Sequence, residues 1–140
     1  MNSVTKLVQP MLLLTAGGLL VLIAMYILIS PVDFYAANDI ALGANPSLRN
    51  ELKAPAGFLL AAGTLMLAAV VVSSLVDTAL LLAAVTYLSY AAARYASMLT
   101  DGMPAAGLVQ AAALEAIIGF TCLAALLVRR AKTKGTGMLT

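Results

Sequence analysis

From Gly57 to Leu99 the chain is almost continuously apolar. As one α-helix this stretch would reach about 64 Å, twice the hydrocarbon thickness of a bilayer. No single helix can bury that length in lipid, so the chain must turn back within it. The polar residues available for the turn are Ser73, Ser74, Asp77 and Thr78, which divides the run into a span over 57–72 and another over 78–99. Asp77 then stands in the first turn of the later span, where a carboxylate complements the positive end of the helix dipole. Composition agrees: 63% of the residues are hydrophobic and only 10% charged, which does not describe a soluble domain.

Two further runs complete the pattern. Met11 to Ile29 matches the hydrocarbon thickness. It is longer than the core of a secretory signal, and Ser30, Pro31 and Val32 offer no small-residue cleavage site, so it reads as a retained span over 11–29. Gly102 and Pro104 mark a turn, with Pro104 opening a last span over 104–128. The expected fold is all-α, a four-transmembrane-helix bundle occupying 1–134, followed by a flexible tail over 135–140.

Between the first two spans, Asp33, Asn38, Asp39 and Gly43 interrupt any helical apolar period, which gives an external loop over 31–53 with Phe34 and Tyr35 near the interface. Asn45 before Pro46 signals a helix start. Arg49, Glu51 and Lys53 are too charged for lipid, so this first part lies at the membrane surface. Pro55 should kink the helix or restart it. An even number of spans puts both termini on one side, together with Lys6, Arg129, Arg130, Lys132 and Lys134, while the other side carries Arg49 and Lys53. That bias places the N and C termini in the cytoplasm. The basic tail reads as a topology anchor, although it could also hold anionic headgroups.

Two ionisable residues fall at bilayer depth, Arg94 and Glu115. A charge there costs at least ~2.5 kcal/mol, so such groups face the bundle interior and find partners. Tyr87, Tyr90, Arg94, Ser97 and Asp101 recur at steps of three and four, which is one helical face. Pointed at acyl chains they would stay unbonded, so the stripe should face inward, leaving Leu80, Leu88, Met98 and Leu99 for lipid or secondary contacts. On the last span Gly107, Ala111, Glu115 and Gly119 share a face whose small residues allow close approach to a neighbour. Gly17 and Gly18 allow the same on the first span.

At ~1.5 Å per residue, Arg94 starts about 7 Å below the external end of its helix, Tyr90 about 13 Å and Glu115 about 16 Å. Side chains lean toward the helix N-terminus, so Arg94 reaches deeper and Glu115, on an antiparallel helix, reaches outward. The expected contacts join Glu115 to Tyr90 or Tyr87 directly, and to Arg94 directly or through water. Asp101 and Glu51 would compete for the guanidinium.

The residue inventory excludes much chemistry. There is no His, and Cys122 is the only cysteine, so His-ligated haem, carboxylate and His di-iron sites, zinc sites and a His-based triad are all ruled out. Cys122 reads as a small packing residue. Without a basic patch outside the tail, nothing would neutralise a nucleic-acid backbone. No enzyme, metal or cofactor is expected.

Asn50, Glu51, Leu52, Lys53 and Ala54 entering the second span, then Tyr90, Arg94, Ser97, Asp101, Gly102 and Pro104, and finally Glu115, give the chain a recognisable pattern. It resembles the small four-helix membrane proteins of bacteria classed as domain of unknown function 4345. It differs from that family in having Lys53 where Arg is usual, and Pro55 and Ala56 near an expected Gly pair. The resemblance implies a bundle in the bacterial inner membrane and no assigned reaction.

Three roles fit these features. The foremost is a non-catalytic accessory or scaffold bundle, in which Glu51, Lys53, Tyr87, Tyr90, Arg94, Ser97, Asp101 and Glu115 form a polar network that sets helix register. Its small-residue faces would then meet a membrane-protein partner or a second copy of the chain. The alternative is a binder of a lipid, quinone or similar amphipathic ligand, with the polar head at Arg94, Asp101 and Glu51. The last is a small proton-coupled transporter or relay through Glu115.

Overall fold

The computed structural model describes residues 3–137, and side chains over 8–132. The side chains of Lys6 and Lys134 and the last three residues of the tail lie outside the described residues. Among the described residues there are five α-helices and no strand: α1 (Ser3–Ile29), α2 (Pro31–Ala36), α3 (Pro46–Val71), α4 (Val76–Thr100) and α5 (Ala106–Gly137). All but α2 are long and apolar enough to cross a membrane. The protein is a multi-pass, all-α membrane bundle.

The hairpin in the long apolar run forms where its polar residues predicted. Val72 leaves α3 in an extended conformation, a short 3-10 turn covers Ser73–Leu75, and Asp77 lies in the first turn of α4. The Asn45 side chain accepts from the amides of Ser47 and Leu48, and Pro46 opens α3, so free N-terminal donors are met where the chain enters the helix. α3 passes through Pro55 without restarting. The lost bond would have gone to the carbonyl of Glu51, which lies at the exposed end of the helix.

Two connections differ from expectation. The segment read as an irregular external loop contains α2, because Pro31 both ends α1 and takes the first position of a new helix. Proline cannot continue the first ladder, but its fixed φ suits a first turn. An edge-on ring contact of Tyr26 with Phe34 holds α2 against the end of α1, and Phe34 makes a second such contact with Tyr35 within α2. The chain then turns at Asp39 and Gly43, both with positive φ. Pro104 does not open the last helix; it stays in the link that follows Gly102, and α5 begins at Ala106.

The bundle is built from two close pairs, α1 with α3 and α4 with α5, which meet each other far less extensively. Among the described residues the backbones of α3 and α5 do not come together. In the first pair Gly17 faces Gly63 reciprocally: a Cβ added to Gly17 would lie 2.8 Å from the Gly63 carbonyl oxygen, and one on Gly63 would lie 2.7 Å from that of Gly17. In the second, a Cβ on Gly119 would lie 2.7 Å from Leu88 Cγ. Small side chains continue the contact, including Ala16, Ala62, Ala69, Ala83, Ala84 and the buried Cys122.

Leu80, expected among the lipid-facing residues, is fully buried. It sits seven residues before Tyr87 and therefore on the same side of α4, so the inward face continues below the polar stripe as an apolar one. At the end of the bundle opposite α2, Arg129 Nε donates to Asp77 and Arg129 Nη1 to Gln9 Oε1 at 3.2 Å. That contact ties α5, α4 and α1 together.

Neighbouring glycines should respond oppositely to enlargement. Gly63→Val must push two backbones apart and should cost about 1 to 3 kcal/mol or more, read as an earlier unfolding transition in detergent. Gly18→Val, with nothing within 4 Å of its added Cβ, should leave that transition unchanged.

Candidate functional site

On the outer half of α4, Tyr87, Tyr90 and Arg94 project toward the space enclosed by the four long helices, and Glu115 approaches them from α5. Arg94 Nε donates to both carboxylate oxygens of Glu115, at 3.2 Å to Oε1 and 3.0 Å to Oε2. The contact is direct, as the depth argument allowed. The side chains remain 31% and 16% exposed, so the pair is half-buried and its strength falls short of that of a fully enclosed one.

Other expected contacts are redirected. The Tyr87 hydroxyl donates to the Ala16 carbonyl at 2.7 Å instead of to Glu115, which links α4 to α1. Tyr90 lies beside the ion pair and, among the described residues, forms no hydrogen bond with Glu115. Ser97 and Asp101 do not face inward. They are exposed and bond to each other at 2.9 Å where α4 ends, so Asp101 does not compete for Arg94. Glu51 is exposed and Lys53 half-buried, and neither lines the enclosed space. Each is about 100° around α3 from Leu52, the neighbour that does face it.

That space is a cavity of about 350 Å³. Its walls are mostly apolar, with Leu19, Leu20 and Ile23 from α1, Pro55 and Leu59 from α3, and Leu108 and Leu114 from α5. Polar groups enter from α4 and α5 as Thr86, Tyr87, Tyr90, Arg94 and Glu115. Phe34, Tyr35, Asn38 and Ile40 border it from α2 and the following turn. Burial pushes the Tyr35 phenol above its ordinary range, with Tyr90 adding to the rise and Arg94 opposing it, so at neutral pH it remains a protonated donor at this border.

Sequence reasoning did not find Thr86, Tyr35 or Asn38. For Thr86 a signal existed, since it precedes Tyr90 by four residues and extends the stripe inward. For Tyr35 and Asn38 there was none, because their place depends on how the connection folds back.

The pocket brings together donors from hydroxyls and a guanidinium, one carboxylate, and apolar walls. Arg94 and Glu115 cancel each other in formal charge. Removing one partner should therefore strand the other: Glu115→Gln or Arg94→Met should each lower stability in detergent, by up to ~3 kcal/mol given the partial exposure. The double variant Arg94→Met, Glu115→Met should melt above either single one, since it leaves no unpaired charge.

No curated protein and no solved structure matches the chain. The sequence pattern of the family described as domain of unknown function (DUF4345) matches residues 8–126, a segment that contains the ion pair and every residue of the cavity wall. The chain belongs to the DUF4345 family.

Proposed function

We propose that the protein is a non-catalytic binding protein of the bacterial inner membrane that holds a lipid-like, amphipathic molecule between its helices. The carrying observation is the cavity of about 350 Å³, apolar over most of its wall and polar at a few converging side chains. Ligand sites have this composition, and 300 to 1,000 Å³ is their usual range, of about this order. A pocket kept open inside a bundle sacrifices packing contacts, which a bound molecule would restore. The termini lie in the cytoplasm in this reading, with Arg130 and Lys132 on that side, so the cavity and α2 face outward.

The accessory or scaffold role has less support. Its small-residue faces were to meet another protein, but Gly17, Gly107 and Gly119 of those faces are engaged within the chain itself. A proton relay has less again: the hydrogen bonds of Glu115 among the described residues all come from Arg94, and the Tyr87 hydroxyl is committed to a backbone carbonyl.

Ala111 lines the cavity from α5, and Phe at that position would fill the space while adding only apolar atoms. Native mass spectrometry of the full chain purified from its own membrane should show a lipid-like adduct. Ala111→Phe should lose that adduct and keep its helical circular dichroism. A wild-type protein that carries nothing, or a filled variant that retains the adduct, would sink the proposal.

A further inference from the structure

Five hydroxyls inside these helices follow one habit. Thr15, Thr64, Ser89, Thr100 and Thr121 each donate to the carbonyl four residues earlier, at 2.6 to 3.2 Å. Such back-bonding is the ordinary way for a helix to satisfy Ser or Thr in lipid. Thr86 does not do this. It is 3% exposed, and among the described residues its Oγ1 has no hydrogen-bond partner. It lines the deep end of the cavity, one turn below Tyr90 and two below Arg94. A buried hydroxyl left unpaired is costly, and here the usual local remedy is unused.

The mouth of the same cavity carries a second unused set of donors. Arg94 engages Glu115 through Nε alone, and among the described residues its two terminal nitrogens have no partner. Guanidinium nitrogens only donate, so what they await is an acceptor. The charge there is already balanced by Glu115, so an anionic head would meet a neighbouring carboxylate and a cationic head a neighbouring guanidinium, each leaving an uncompensated charge in low dielectric.

We infer that the occupant of this cavity is an uncharged amphiphile bearing hydrogen-bond-accepting oxygens at two levels, one received by the Thr86 hydroxyl at the deep end and one by the terminal nitrogens of Arg94 near the mouth. The inference rests on the cavity being a ligand site and adds the chemistry of the ligand. The two Cα atoms are separated by about 12 Å along α4, and the guanidinium leans back toward Thr86 and shortens that span. Tyr90 offers a further hydroxyl between them. A para-quinone ring meets this description, with carbonyls on opposite edges of an apolar plane. Its alkyl chain can leave between α3 and α5, whose backbones do not meet among the described residues and whose leucines line both sides of the gap.

The test uses the full chain in detergent, with a decyl-substituted para-benzoquinone as the neutral probe and oleate as the anionic one. The quinone should bind the wild type and raise its melting temperature, and should bind more tightly than oleate. Thr86→Val should weaken quinone binding by about tenfold without lowering the melting temperature of the empty protein, because valine replaces an unpaired hydroxyl. Thr86→Ser should bind like the wild type. Equal quinone affinity in the valine variant, or tighter binding of oleate, overturns the inference and leaves the cavity a ligand site. If the wild type binds neither probe, and also carries no adduct from its native membrane, the ligand-site reading falls with it.

Discussion

A polar group placed at bilayer depth is costly unless it finds a partner inside the protein, because lipid offers none. The bundle can be understood as a set of answers to that requirement. Thr15, Thr64, Ser89, Thr100 and Thr121 bond to their own helices. Tyr87 uses a spare lone pair on the Ala16 carbonyl and so links α4 to α1. Charges are met in pairs across α4 and α5, Arg94 with Glu115 in the outer half and Arg129 with Asp77 at the opposite end. Two ionic contacts so far apart along one helix pair fix its register, since a slip by one turn would misalign both at once.

Close backbone approach supplies the remaining cohesion. In lipid, apolar side chains gain little by meeting one another, so helices associate through tight packing of small residues. Gly17 against Gly63 joins α1 to α3, and Gly119 against Leu88 joins α5 to α4. These two contacts use the small residues within pairs and leave the pairs less closely joined to each other. The cavity is the consequence, lying where the pairs diverge beneath α2. Its polar groups come mainly from the face of α4 that would otherwise have met α3 and α1.

Much of this was legible in the residues. The hairpin at Ser73 to Thr78, the cap at Asn45 and the meeting of Arg94 with Glu115 follow from length, turn chemistry and depth. The same depth arithmetic also pairs Arg129 with Asp77, each about 35 Å from the outer end of its helix, a contact that reading the basic tail as an anchor or a headgroup site overlooks. Leu80 was misplaced because the polar stripe was not carried back by one heptad. Ser97 and Asp101 share the stripe's angular position but are exposed where α4 ends, and angular position alone does not say where burial stops.

The residues by themselves determined four membrane-spanning helices and a charged pair that had to meet, because apolar length and the cost of charge in lipid act on each segment regardless of its neighbours. Only the tertiary structure decided that Tyr87 would bond to α1, that Glu51 and Lys53 would stand outside the site, and that Thr86 would face an open space unbonded. Those outcomes depend on which helices pair closely and where the pairs separate, and that is a competition among contacts distant in the chain.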